Sequence, residues 1–216
     1  NKVIKKYGGE LRMIGGICRD LILNKNNSKD LDFVTNMQIN KLLTCFEKEK
    51  INFLKSGLKY GCIKILLTDF TIEITSLRKD FDYDGRRPRI EYTKSWKEDS
   101  YRRDFTINAI YISFSGEIFD PHNGFRDLLN RKVKFIGEPN TRIIEDNLRI
   151  LRFLRFSVSY ANEIDKTAYQ ACRNNIKKIR KLSYTRRLEE VKKIIILTNF
   201  KSFLKKLDSF FLKEIF

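Results

Sequence analysis

Asp30 and Asp32 stand one residue apart in "SKDLDFVT", a run that otherwise has the apolar and β-branched character of a strand. Alternate side chains of a strand share a face, so the two carboxylates project together while Leu31 and Phe33 turn to a core. Like charges held that close raise each other's pKa unless a cation lies between them, and a divalent metal is the usual remedy. The run is equally compatible with Asp30 as a turn residue after "NKNNSK" and Asp32 alone in the strand. In "FTIEIT" the same alternation sets Thr71, Glu73 and Thr75 on one face and Ile72 and Ile74 on the other. If the two strands are neighbours, three acids converge on a site of oxygen ligands, the kind Mg²⁺ prefers when substrate phosphates complete its shell. Upstream, "GGICRD" provides Gly15 and Gly16 at a strand-to-helix turn, where the backbone can approach a phosphate, with Arg19 one turn on. A Gly pair alone is more often only a turn; the acids that follow give it weight.

The elements that must position these groups follow from periodicity. "ELRMIGG" reads as a strand, "ICRDLILN" as a short helix, "DLDFVT" as a strand and "QINKLLTCFEKE" as an amphipathic helix. "YGCIKILL" and "FTIEITSL" form two strands joined by a tight hairpin at Thr68 and Asp69. After the polar loop "FDYDGRRP", the run "EDSYRRDFTINAIYIS" reads as a helix, or as a helix passing into a strand. From Glu138 the pattern is helical to the end. This predicts an α/β head over 1–138 and an all-helical second lobe over 139–216.

Across 216 residues, 44 Lys and Arg face 27 acids, a formal net charge of +17. Such an excess points to a polyanionic partner, nucleic acid before an acidic membrane, although a Lys, Asn and Ile bias also reflects an AT-rich genome. From Arg173 to Lys206 twelve basic residues face two acids, Glu189 and Glu190. The amphipathic run "NNIKKIRKLSYTRRLEEVKK" is therefore read as a phosphate-backbone contact through Lys177, Lys178, Arg180, Lys181, Arg186 and Arg187, against the plainer reading of a solvated helix face. Cys18, Cys45, Cys62 and Cys172 lack metal-ligand spacing and His122 is the single histidine, so a zinc site or a disulfide framework is not expected. No apolar segment approaches the roughly 20 residues of a membrane span, and no secretory signal core begins the chain. A cytoplasmic location is expected, with an organellar matrix as the alternative.

Four blocks carry a resemblance: "GGICRDLILNKNNSKDLDFVT", "EITSLRKDFDYDGRRP", "EDSYRRDFTINAIY" and "EDNLRILRFLRF". Their types and order, from about Arg12 to Phe156, resemble the class II tRNA nucleotidyltransferases and bacterial poly(A) polymerases, and within these the CCA-adding enzymes. The resemblance implies a polymerase-β-like nucleotidyltransferase head followed by an all-α neck. It implies a metal site at Asp30 and Asp32, with Mg²⁺ as cofactor and two ions at work, and Glu73 as third catalytic carboxylate. Arg103, Asp104 and Asn108 match positions that bind the nucleotide's triphosphate and sugar, and Gly15, Gly16 and Arg19, read above as a phosphate turn, are assigned to the nucleotide with them. Asp146 and Arg149 match the pair that reads the base, with Arg152 and Arg155 beside them. Asp84, Gly85 and Arg86 match a flexible loop used in switching from C to A addition. Two departures stand out: Arg87 replaces a common His in "DGRRP", and "YGCIKI" lacks the His-Gly often found before that strand.

The base-reading pair also has a physical rationale. On a continuous helix Asp146 and Arg149, three apart, are neighbours. The carboxylate accepts from an exocyclic amine and the guanidinium donates to the adjacent ring acceptor, an order cytosine and adenine share and uracil and guanine reverse. Glu145 and Asp146 equally suit a helix N-terminus. Leu148, Ile150, Leu151, Phe153, Leu154 and Phe156 surround the helix, so Arg149, Arg152 and Arg155 require anionic partners.

The implied function is template-independent addition of CCA to the 3′ end of tRNA from CTP and ATP, releasing pyrophosphate. Its partners are the tRNA 3′ end and the two nucleotides, with no membrane and no obligatory protein partner. Poly(A) or A-only addition shares every block quoted, and a catalytically silent RNA-binding module is the reading from another class. Family members generally continue into further helical regions, so a chain of this length is expected to be either truncated or a naturally minimal enzyme.

Overall fold

In the computed structural model, described for residues 1–25, 30–81, 89–205 and 207–215, six strands form one mixed sheet in the order β3-β4-β2-β1-β7-β8. They are β1 (Leu11–Met13), β2 (Asp30–Thr35), β3 (Cys62–Leu66), β4 (Thr71–Ser76), β7 (Tyr111–Ser113) and β8 (Ile118–Phe119). A separate hairpin pairs β5 (Arg78–Phe81) with β6 (Arg89–Tyr92). The expected hairpin is present: β3 and β4 are antiparallel, and Leu67 N–H donates to Phe70 O at 3.0 Å around Thr68 and Asp69. The sequence analysis predicts no strand at β5 or β6: β5 does not alternate, and β6, where Arg89, Ile90, Glu91 and Tyr92 do alternate, is only four residues long.

The helices of this part are α1 (Lys2–Lys6), α2 (Gly16–Ile22), α3 (Ile39–Lys48), α4 (Trp96–Tyr101) and α5 (Gly124–Leu129). The alternation of β2 and β4 works as expected on the core side. Phe33, Ile63 and Ile74 are buried with Leu42, Cys45 and Phe46 of α3, and Leu31 and Ile72 pack against them. "EDSYRRDFTINAIYIS" does become a helix that passes into a strand, through a short 3₁₀ turn at Thr106–Asn108. Ser95 caps α4 by accepting from Glu98 N–H, as the Ser-x-x-Glu spacing favours.

The remaining helices are α6 (Pro139–Glu145), α7 (Leu148–Tyr160), α8 (Lys166–Asn175), α9 (Tyr184–Ile195), α10 (Phe200–Leu204) and α11 (Ser209–Ile215). Their core includes Ile143, Leu151, Phe153, Leu154, Cys172, Ile179, Ile194 and Phe211. Among the described residues no helix is long and apolar enough to cross a membrane.

Two compact units are present, and the division falls between Phe125 and Arg126, inside α5, rather than at 138/139. The reason is packing: Phe135 stacks on Phe153 with centroids 5.6 Å apart, and Asn162 N–H donates to Arg131 O at 3.1 Å. Residues 126–138 thus belong with the helices, whatever their lack of helical pattern.

Candidate functional site

Strand register builds the head's site. β2 runs parallel to β4 with Asp32 directly opposite Glu73, and β4 runs antiparallel to β3 with Glu73 opposite Lys64. Directly opposed residues share a face, so Asp32, Glu73 and Lys64 form a row across three strands. All three line a cavity of about 490 Å³ in the head, with Tyr60, Arg78, Arg102 and Arg103 among its other walls.

Asp30 is exposed near the start of β2, and Asp32 is half-buried. Burial, then the charges of Glu73 and Asp30, push the Asp32 carboxyl up to about 6, although Arg103 and Arg19 oppose them. Gly15 explains part of the crowding. Its φ is +73°, and a Cβ there would lie 3.2 Å from Asp32 Oδ2, so glycine lets the start of α2 approach the carboxylate.

The strands are neighbours as expected, yet the three acids do not converge. Glu73 Oε2 lies 2.9 Å from Lys64 Nζ, and among the described residues no three His, Cys, Asp or Glu side chains form a group able to hold a metal. What remains is the Asp30 and Asp32 pair, an all-oxygen donor set. That set suits Mg²⁺, which commonly takes one or two carboxylates and completes its shell with water and substrate phosphates.

The cationic wall has a buried organiser that the sequence reading passed over. Asp99 is fully buried, and its carboxylate accepts from Arg102 Nε at 2.8 Å, Arg103 Nη2 at 3.0 Å, the Tyr111 hydroxyl at 2.9 Å and Arg78 N–H at 3.1 Å. Burial alone would raise its pKa; the two arginines outweigh it and hold the carboxyl well below the usual range. The signal was present, because Asp99 precedes Arg102 and Arg103 by three and four residues, the spacing of helical neighbours. The other expected nucleotide contacts form a second chain. Arg19 donates to Asn108 Oδ1, and Asn108 Nδ2 donates to Asp104 Oδ1 at 2.8 Å. Gly124 keeps that turn in place, since a Cβ there would lie 2.0 Å from Thr106 O. Gly15 and Gly16 open α2 as expected, and Asp84, Gly85 and Arg86 lie outside the described residues.

In the helical unit the expected reader does not sit on one helix. Asp146 ends α6 in an extended conformation, with φ −150° and ψ 108°, and α7 starts only at Leu148. Its carboxylate accepts from Leu148 N–H at 3.1 Å and from Arg186 Nη2 at 2.9 Å. Arg149 turns the other way, to Arg142 O at 2.7 Å and to the Glu145 carboxylate. The Asp side chain competes with helical hydrogen bonding by closing a local turn, which is why the run breaks where a continuous helix was expected.

Two arginines assigned to RNA are occupied elsewhere. Arg186 holds Asp146, and Arg180 forms a two-bond pair with Glu214 at 2.9 and 3.0 Å. Arg155 meets the buried Glu190 carboxylate, and the Arg152 guanidinium lies 5.4 Å from the Phe156 ring centre. Lys177 and Lys181 are exposed, while Lys178 and Arg187 are half-buried.

A mixed sheet that carries paired carboxylates on one strand, opposite a cation-walled cavity, defines an α/β head of the polymerase type. Residues 11–134 match the Poly A polymerase head domain, and the chain belongs to that family. It is 39% identical over 195 residues to the human protein named CCA tRNA nucleotidyltransferase 1, mitochondrial, covering 88% of this chain and 45% of that one. It is 31% identical over 202 residues to the CCA-adding enzyme of Streptococcus uberis, covering 93% and 49%. Among solved structures, the Bacillus stearothermophilus CCA-adding enzyme in complex with CTP superposes with a TM-score of 0.82 at 26% identity, covering 97% of this chain and 51% of that one. A tRNA nucleotidyltransferase complexed with a primer tRNA and an incoming ATP analog gives 0.77 at 25%, covering 99% and 61%. The chain thus spans about half the length of these relatives.

Proposed function

We propose that this chain carries the nucleotidyl-transferring part of an enzyme that adds C and A to the 3′ end of tRNA from CTP and ATP. The observation that supports the reading is that Asp32, opposite Glu73 in the β2–β4 register, lines the same cavity as Arg102 and Arg103. Relatives named for CCA addition, and structures holding CTP or a primer tRNA with an ATP analog, support the substrate assignment.

In the reaction the terminal 3′-oxygen attacks the α-phosphorus, its proton is lost, and the bond from that phosphorus to the bridging oxygen breaks as pyrophosphate leaves. Held by Asp30 and Asp32, Mg²⁺ would acidify the attacking hydroxyl and neutralise the leaving oxygens, with two ions the number suited to an in-line displacement. Arg102 and Arg103, fixed by Asp99, offer guanidinium groups to the triphosphate. Arg19, Asp104 and Asn108 hold a fixed polar edge for the sugar. Asp146 and Arg149 are assigned to the base. A carboxylate has about four lone-pair sites, so Arg186 and Leu148 N–H leave Asp146 capacity to accept from an exocyclic amine. Lys177, Lys178, Lys181 and Arg187 are assigned to the RNA backbone.

The test is to incubate the chain with Mg²⁺ and a tRNA lacking its CCA end, supplying CTP, ATP or both. Ordered addition of three nucleotides is expected. An open-ended A tail would establish the poly(A) alternative, and retained tRNA binding with no incorporation would leave only an RNA-binding module. A relative named mitochondrial favours an organellar setting alongside the cytoplasmic one.

A further inference from the structure

We infer that Lys64 is a positioning residue that holds Glu73 out of the metal's ligand set, leaving a two-carboxylate centre at Asp30 and Asp32. The inference rests on the metal site assigned above and deepens it. Register makes Glu73 the middle member of a row, with the Asp32 carboxylate on one side and the Lys64 ammonium on the other. Neighbouring strands are about 4.8 Å apart, so Glu73 is within side-chain reach of either partner. It goes to the ammonium, at 2.9 Å.

Lys64 is held for this task from two sides. Its backbone pairs with Glu73 in the ladder, and on its other edge it exchanges hydrogen bonds with Leu54, Leu54 N–H to Lys64 O at 2.7 Å and Lys64 N–H to Leu54 O at 3.2 Å. The side chain is therefore delivered from an edge strand that is fixed at Lys64 itself by β4 on one side and by an isolated bridge to Leu54 on the other. Electrostatics agree: the hydrogen bond and charge of Glu73 raise the lysine's pKa, so the ammonium persists. A cation at this point has two effects on an incoming dication. It repels the ion, and it competes for Glu73, the carboxylate that the register sets beside Asp32. Both make the site weaker without nucleotide and more dependent on substrate phosphates to complete it.

The test measures Mn²⁺ binding to the full chain without nucleotide, by loss of the free-ion electron paramagnetic resonance signal. Lys64→Met removes the charge and keeps the stem, at a half-exposed strand position that should tolerate it. It is expected to tighten Mn²⁺ binding about tenfold, and Glu73→Gln in the Lys64→Met background should reverse the gain. Glu73→Gln alone should change binding less than about threefold. Unchanged or weaker Mn²⁺ binding in Lys64→Met overturns the inference, as does a loss in Glu73→Gln as large as that in Asp32→Asn. If Asp32→Asn itself binds Mn²⁺ normally, the metal assignment falls, a different result from failure of the Lys64 arm.

Discussion

The head's row of Asp32, Glu73 and Lys64 and the charged groups of the helical unit are placed by different means. In the head, backbone pairing sets the row: once β2, β4 and β3 are in register, Asp32, Glu73 and Lys64 must be adjacent on one face. In the helical unit, side-chain ion pairs do the placing. Asp146 is at a helix break and owes its orientation to Arg186, 40 residues away, while Arg149 is held by Glu145. A ladder tolerates loss of one side chain without moving its neighbours. A network of ion pairs does not, because removing one member leaves another charge without its partner.

Substitutions can break this contrast. The largest effect belongs to Asp32→Ala, expected to reduce nucleotide incorporation by at least on the order of 10³-fold, with tRNA affinity within about threefold and an unchanged circular dichroism spectrum. A fully active variant would refute the metal role. Asp99→Asn should lower stability by about 3 kcal/mol at pH 7, read by denaturant titration, because the half-buried Arg102 and Arg103 lose the fully buried carboxylate that pairs with both. The pH dependence follows from the sign of the shift. A carboxyl with a depressed folded pKa stabilises fully above its unfolded value of roughly 4, and loses that contribution as pH falls further. The gap between wild type and Asp99→Asn should therefore be constant from pH 7 to about 5 and narrow below 4.

Arg186→Met sharpens the other side of the comparison. If Asp146 depends on its partner for orientation, KM for CTP and ATP should rise about fivefold with kcat less affected, whereas tRNA affinity should stay level. A pure loss of tRNA affinity would restore Arg186 to the RNA surface. Smaller still, Lys181→Ala should weaken tRNA binding about threefold at low salt and flatten its salt dependence. Arg180→Ala should cost under about 1 kcal/mol of stability and leave tRNA affinity unchanged, since its partner is Glu214.

What could be read in advance follows the same division. The period-2 alternation of "DLDFVT" and "FTIEIT" named the faces of β2 and β4, and the Thr68–Asp69 turn was legible because short hairpins need few residues. The apolar ring around α7 correctly required partners for its arginines, and Glu145 and Glu190 supply two of them. Other features were invisible. Spacing three residues apart implied a shared helix face for Asp146 and Arg149, but an Asp that closes a turn on Leu148 N–H interrupts the helix between them. Basic residues in an amphipathic run looked like one RNA surface, although Arg180 and Arg186 answer to acids from distant elements. The β5–β6 hairpin escaped because its strands bury neither face cleanly.

By itself the sequence determined which residue types could do chemistry, the strand faces on which they lie, and the motifs that resemble those of the nucleotidyltransferase family. Those depend on local geometry, which repeats every two residues in a strand. Tertiary structure alone decided that Glu73 goes to Lys64 and not to Asp32, and that residues 126–138 join the helices. Each of these is a choice among partners brought together from distant positions, and pairwise attraction at 3 Å has no signature in spacing along the chain.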